Sequence, residues 1–153
     1  MDLATLITPN VCKVPLEALD KEEAIAELVE VLVRTQLIRD REGILQALYE
    51  REDKGSTGIG GGVAIPHAKH PEVSGVVMAA GVSRDGIEFD AADGELVYLV
   101  FLVVAEAHNP GPNVEVLAEI GHMMQTPGLY GRMAAAGDAD EFVELIQGSQ
   151  VEP

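Results

Sequence analysis

The chain has 153 residues, 47% of them hydrophobic, and carries 26 acidic against 10 basic side chains for a formal net charge of −16. A chain of this length favours one domain able to bury its own core without disulfide or metal staples, and the hydrophobic share excludes a disordered acidic tail. The charge disfavours nucleic acid and anionic membrane surfaces, which are bound chiefly through Lys and Arg, but it suits docking onto a basic protein partner.

The single cysteine, Cys12, has no internal disulfide partner, so an oxidising compartment is not indicated and a small, covered apolar role is expected. The longest apolar run, Leu96 to Ala105, is too short for a bilayer, which takes about 20 residues. No signal-like segment follows Met1. A cytoplasmic chain, not inserted in a membrane, is the expectation.

In chain order, Leu3 to Ile7 and Val11 to Val14 read as short extended pieces broken by Pro9 and Asn10. Asp20 and Glu23 form a capping box ahead of a helix with Ile25, Leu28, Val29, Leu32 and Val33 on one stripe. A second helix is predicted over Arg41 to Arg51, with Ile44, Leu45 and Leu48 inward. Five glycines among residues 55–62 then stop regular structure.

Val63-Ala64-Ile65 reads as a short buried strand ended by Pro66. His67 to His70 is bracketed by Pro66 and Pro71, which predicts a rigid turn rather than a helix. Ser74 to Ser83 reads as a strand covered on both faces, and Asp85-Gly86 and Asp93-Gly94 as turns. Leu96 to Ala105 is the central strand. After Asn109-Pro110-Gly111-Pro112, a helix is predicted from Asn113 to Gln125, with Val114, Leu117, Gly121 and Met124 on its inner side. A shorter helix near Leu129 to Ala136 follows. Asp138 and Glu141 then cap a last helix with Phe142, Leu145 and Ile146 inward.

This order predicts an α/β single-domain sandwich over residues 1–148: a mixed, mostly central β-sheet flanked by helices on both sides. Residues 149–153 are expected to be a frayed tail.

The glycine run fails the usual nucleotide-loop tests. Gly62 is followed by Val63 rather than Lys-Ser/Thr, and a helix precedes the run where a dinucleotide fingerprint needs a strand. A tight connection is its ordinary explanation. Successive free backbone N–H groups can nevertheless cradle an anion, and Ser56 and Thr57 add hydroxyls.

His67 follows that run. A neutral imidazole is a competent nucleophile near neutral pH when one ring nitrogen is fixed as a donor and the other presents its lone pair. A satisfied structural histidine is the alternative, and for a lone histidine it would ordinarily win. Arg51 is either a bidentate donor to a phosphoryl group or a cation complementing the end of its helix.

His67 and His70 share a His-x-x-His spacing, but zinc needs three or four ligands, and a metal hydrolase ranks last. No metal or cofactor is expected. His70 reads as a surface residue, His108 as a loop residue at the same end of the sheet, His122 as half-buried packing and Asp93 as a turn residue. The remaining carboxylates read as a solvated face.

The segment from Arg51-Glu52-Asp53-Lys54-Gly55-Ser56-Thr57-Gly58 through Ile59-Gly60-Gly61-Gly62-Val63-Ala64-Ile65-Pro66-His67-Ala68-Lys69 resembles the active-site motif of the enzyme IIA domains of the fructose–mannitol class. These belong to the bacterial phosphoenolpyruvate:sugar phosphotransferase system and include nitrogen-related regulatory IIA proteins. Gly81-Val82-Ser83, Ile87 to Asp90 and Asp93-Gly94 are also similar to the family, and the likeness runs from about Leu6 to Ile146.

The resemblance implies that His67 accepts a phosphoryl group from the histidine phosphocarrier protein and passes it to a cysteine of a IIB partner, or uses it as a regulatory signal. Arg51, Ser56, Thr57 and backbone donors such as Gly60 would support the group without metal or nucleotide. Where the family often carries a second histidine, this chain has Asn113; as a helix cap it would orient N-terminal amides, and His108 is a secondary candidate from the loop. That difference keeps open a phosphorylation-independent regulatory binding module. With no IIB or membrane segment in the chain, a free-standing protein is expected; it resembles the regulatory branch somewhat more, but separate transport subunits also exist, and the two roles stay open. Leftover apolar surface is compatible with a homodimer.

Overall fold

The computed structural model describes residues 2–150. Asp2 caps a one-turn helix, α1 (Leu3–Leu6), by accepting the Ala4 N–H at 3.0 Å. This segment had been expected to be extended. The cap and the burial of Leu3 and Ile7, one helical turn apart, favour the helix. A 3-10 turn (Pro9–Val11) leads into β1 (Cys12–Lys13).

Two helices follow, α2 (Lys21–Arg34) and α3 (Arg41–Asp53). Each opens on an aspartate whose carboxylate accepts a backbone N–H three residues on: Asp20 from Glu23 at 2.8 Å and Asp40 from Gly43 at 3.0 Å. Of the capping box foreseen at Asp20, the aspartate cap is present, while Glu23 Oε1 accepts the N–H of Leu19, one residue before the cap, at 3.0 Å.

The sheet has six strands. β2 (Gly58–Gly60), β3 (Val63–Ala64) and β4 (His67–His70) come from the glycine-rich region; β5 (Val76–Ile87) and β6 (Val97–Glu106) are the long strands. The order is β1-β5-β6-β3-β2, with β4 also pairing β6. β5 and β6 are antiparallel, whereas β1 on β5 and both β3 and β4 on β6 are parallel. β6 is therefore central, as its apolar run indicated.

Two local expectations are corrected. His67 to His70 is a strand, not a turn: prolines flank it but none interrupts its pairing with Val103 to Glu106. The Asp85-Gly86 turn is absorbed into β5 as an irregularity in register between Val82 and Ile87, where Gly86 N–H donates to Ser83 Oγ at 3.0 Å.

Three helices complete the chain: α4 (Gly111–Met123), α5 (Leu129–Ala134) and α6 (Ala139–Ser149). Ser149 ends α6, with its hydroxyl donating to the Ile146 carbonyl at 2.7 Å, so the expected tail does not begin there. Residues 151–153 of that tail lie outside the described residues.

The inner side of α4 is Asn113, Val116, Ile120 and Met123, one residue off the predicted stripe; Val114 is 62% exposed. His122 is exposed rather than half-buried.

Side chains alternate across β6. Leu99, Phe101, Val103 and Ala105 join the core under α1, α4, α5 and α6. Val100, Leu102 and Val104 join the core under α2 and α3. Phe101 meets Phe142 of α6 with ring centroids 6.2 Å apart. The result is one mixed sheet with helices on both faces.

Candidate functional site

β3 and β4 lie end to end along the same side of β6, and the two residues between them leave the ladder. Pro66 has no N–H to give, although its carbonyl still accepts from Val103 at 2.9 Å. Ile65 turns away. Its N–H donates to the Thr57 carbonyl at 3.0 Å, and its own carbonyl lies 2.8 Å from His67 Nδ1. A carbonyl can only accept, so Nδ1 carries the proton and Nε2 holds the lone pair. The interruption of the strand thus fixes the tautomer.

His67 is half-buried. Burial is the main influence holding its pKa below the ordinary 6.5; the Ile65 carbonyl and Glu52 oppose it, and Arg51 and Lys69 reinforce it. The ring is neutral at neutral pH.

His67 lines an open cleft of about 440 Å³ together with Arg51, Lys54, Lys69 and Asn113. Three cations thus gather at one cleft of a strongly acidic chain. A larger groove, about 600 Å³, runs along α2 between Lys13, Glu23, Glu27 and Arg34, but contains no histidine and no glycine turn. The smaller one, which holds His67, is therefore the candidate site.

The other expected site residues fall into two groups. Arg51 and Asn113 share the cleft with His67, and Arg51 Nη1 also donates to the Gly55 carbonyl at 2.7 Å. Asn113 is the third residue of α4, not its cap; the cap position is Pro110. Its side-chain Oδ1 is buried without a hydrogen-bond partner.

Ser56, Thr57 and Gly60 are not among the residues lining the cleft. Ser56 Oγ donates to the Phe89 carbonyl and accepts from Gly58 N–H at 3.0 Å, while Thr57 Oγ1 donates to Glu52. Gly60 has a φ of +95° and lies beside Asp93. His108 is exposed in the loop before α4, outside the cleft.

His70 is less of a surface residue than expected, its side chain being 15% exposed. Its Nε2 lies 2.9 Å from Asp40 Oδ2 and its Nδ1 accepts Glu72 N–H at 3.1 Å. Both ring nitrogens are engaged in holding β4 against the start of α3. Among the described residues, no group of three or more His, Cys, Asp or Glu side chains is placed to hold a metal ion.

Two carboxylates expected to be unremarkable have structural partners. Asp93 Oδ2 accepts Gly61 N–H at 2.9 Å. Glu52 is 8% exposed, whereas the carboxylates outside the motifs had been assigned to a solvated face. One signal in the sequence pointed to it: Ile44, Leu48 and Glu52 repeat at four-residue intervals, which puts Glu52 on the buried stripe of α3.

The family described as "Phosphoenolpyruvate-dependent sugar phosphotransferase system, EIIA 2" matches residues 5–149. The fructose-specific EIIA component of Haloferax volcanii is 32% identical over 145 residues, covering 95% of this chain and 94% of that protein. The fructose-specific EIIABC component of Bacillus subtilis is also 32% identical over 95% of this chain, which spans only 23% of that longer protein. The nitrogen regulatory protein IIA-Ntr of Neisseria meningitidis superposes with a TM-score of 0.85 at 26% identity, covering 94% of this chain and 98% of that one.

A mixed sheet with helices on both faces is the fold that this chain shares with that IIA protein. The chain belongs to the EIIA type 2 family of that system. Among the described residues, no helix is long and apolar enough to cross a membrane.

Proposed function

We propose that this protein is a cytoplasmic phosphocarrier in which His67 Nε2 takes a phosphoryl group from the histidine phosphocarrier protein. The observation that carries the reading is the 2.8 Å contact between His67 Nδ1 and the Ile65 carbonyl, which leaves Nε2 as the only ring nitrogen with a free lone pair.

The Nε2 lone pair attacks phosphorus in line. The P–N bond to the donor breaks, its electron pair returns to the donor nitrogen, and a PO3 unit changes hands. No proton moves. The His67 ring gains positive charge as the bond forms, so the Nδ1–H donor to Ile65 becomes charge-assisted and strengthens during the reaction.

Arg51, with Lys54 and Lys69, offsets the charge of the arriving group at the cleft. Asn113 lines the same cleft, with its Oδ1 buried and without a hydrogen-bond partner. Ser56, Thr57 and Gly60 support the phosphoryl site from behind, by shaping the turn. Onward transfer goes to a IIB protein or to a regulatory target. A IIA–phosphorylated IIB complex from Escherichia coli has the same fold in its IIA chain, with a TM-score of 0.77 at 23% identity.

The test is incubation with phosphoenolpyruvate, enzyme I and the histidine phosphocarrier protein. Acid-labile, base-stable phosphate is expected on the wild-type chain, absent from His67→Ala, slowed in Asn113→Ala and indifferent to chelator. Acid-stable label, or label that survives His67→Ala, overturns the reading. A phosphorylation-independent regulatory module is the second reading, and Asn113 at the family's second-histidine position favours it; such a module would take no label and still bind its targets.

A further inference from the structure

Glu52 is a carboxylate on the apolar stripe of α3, 8% exposed, at a position where a leucine would be cheaper to bury. What surrounds it accounts for its presence. Its Oε1 accepts from Thr57 Oγ1, its Oε2 accepts from Thr57 N–H at 3.3 Å, and Lys21 Nζ lies 3.6 Å from Oε2. Lys21 also stands 3.9 Å from Asp90 Oδ2. The carboxylate thus grips both donors of one residue, Thr57, at the entrance to the glycine turn.

Thr57 passes that grip on. Its carbonyl accepts Ile65 N–H at 3.0 Å, and the Ile65 carbonyl accepts His67 Nδ1–H at 2.8 Å. Four residues distant in sequence become one chain of hydrogen bonds ending on the imidazole. The N–H and C=O of Thr57, and those of Ile65, lie on different peptide planes, so what the chain transmits is position. Ile65 has no paired residue on β6, and Thr57 supplies the acceptor for its N–H.

We propose that Glu52 is a positioning residue for His67, acting through Thr57 and the Ile65 peptide to keep Nδ1 protonated and Nε2 aimed into the cleft. This rests on the reading of His67 as the phosphoryl acceptor. Glu52 lies outside the residues lining the cleft, so its effect falls on orientation and not on partner docking.

The experiment compares wild type with Glu52→Gln, Thr57→Val and Thr57→Ser. Imidazole ¹⁵N chemical shifts of the unphosphorylated proteins report the tautomer of His67. Steady-state labelling from the phosphorylated histidine phosphocarrier protein reports kcat and KM, and circular dichroism checks that each variant is folded.

Wild type and Thr57→Ser are expected to show the Nδ1–H tautomer and equal rates. Glu52→Gln and Thr57→Val are expected to show mixed tautomers, with kcat reduced about 5–10-fold, the equivalent of one lost hydrogen bond, and KM unchanged. Folded Thr57→Val with a wild-type ¹⁵N pattern and rate overturns the proposal, as does a loss confined to KM. Should Glu52→Gln fail to fold, Thr57→Val, which keeps the carboxylate, decides. If the wild-type chain takes no label, the phosphocarrier reading fails, and the ¹⁵N comparison, which needs no donor, still decides the positioning.

Discussion

Asp93 Oδ2 and the backbone N–H of Gly61 meet at 2.9 Å across 32 residues of sequence, tying the loop between β5 and β6 to the tip of the glycine turn. Two backbone N–H donors, Gly61 first and then Glu95, hold the Asp93 carboxyl below its usual range. Because the folded pKa is depressed, the tie is intact above the ordinary carboxylate value and is lost as pH falls through the lowered one. Asp93→Ala is expected to speed amide exchange at Gly61 and to abolish the acid-dependent change there. Exchange at Gly61 that is slow in both proteins contradicts this.

Gly62 is a stricter constraint. It has a φ of +82°, and a Cβ added to it meets the Tyr130 hydroxyl in a severe overlap. Gly62→Ala is expected to cost about 1–3 kcal/mol, combining left-handed backbone strain with the displacement of Tyr130. Tyr130→Ala in the same chain should recover the steric share and leave the backbone share of about 1 kcal/mol. A denaturant-melt double-mutant cycle separates the two; purely additive losses would show that the ring is not in the way.

The His67 pKa lies below 6.5 because burial and the cations Arg51 and Lys69 outweigh the Ile65 carbonyl and Glu52. Phosphoryl acceptance is therefore expected to be flat above pH 6.5 and to fall only on the acid side. Stability follows the same sign. Between the two pKa values the unfolded chain binds a proton that the folded chain does not, so His67 contributes fully above the unfolded value and progressively less as pH falls. An NMR titration of His67 that gives a midpoint above 6.5 would refute both statements.

Burial pushes the Cys12 thiol up to about 12. The thiolate is the reactive form, so a thiol reagent at pH 8 is expected to leave the native protein unmodified and to label it stoichiometrically in denaturant. Rapid native labelling would place Cys12 in a different environment.

How far the sequence led depends on which residues carried the signal. The helix starts at Asp20 and Asp138 were legible because a capping aspartate and a glutamate three residues later state their own geometry. The β6 run and the His67 motif were legible because of length and because of the glycines.

The inner side of α4 was misjudged by one residue. This helix is apolar on several sides, and its true inner stripe begins with a polar residue, Asn113. Leu3 to Ile7 is too short for periodicity, and a single N-cap decided it. Glu52 was passed over because its charge outweighed its place on the stripe. Arg51 and Asn113 line the same cleft as His67, but the hydroxyls of Ser56 and Thr57 are bonded within the scaffold, and only three-dimensional pairing reveals where a hydroxyl is committed.

The break between β3 and β4 gives the His67 ring an unusual anchorage. Both halves are bonded to β6, whose residues from Leu99 to Ala105 are fully covered, and such strands are the last to open in native-state fluctuations. Warming that loosens α3 would release Thr57 from Glu52 while these strands still hold, so mixing of the His67 tautomers should precede loss of the sheet on a temperature curve.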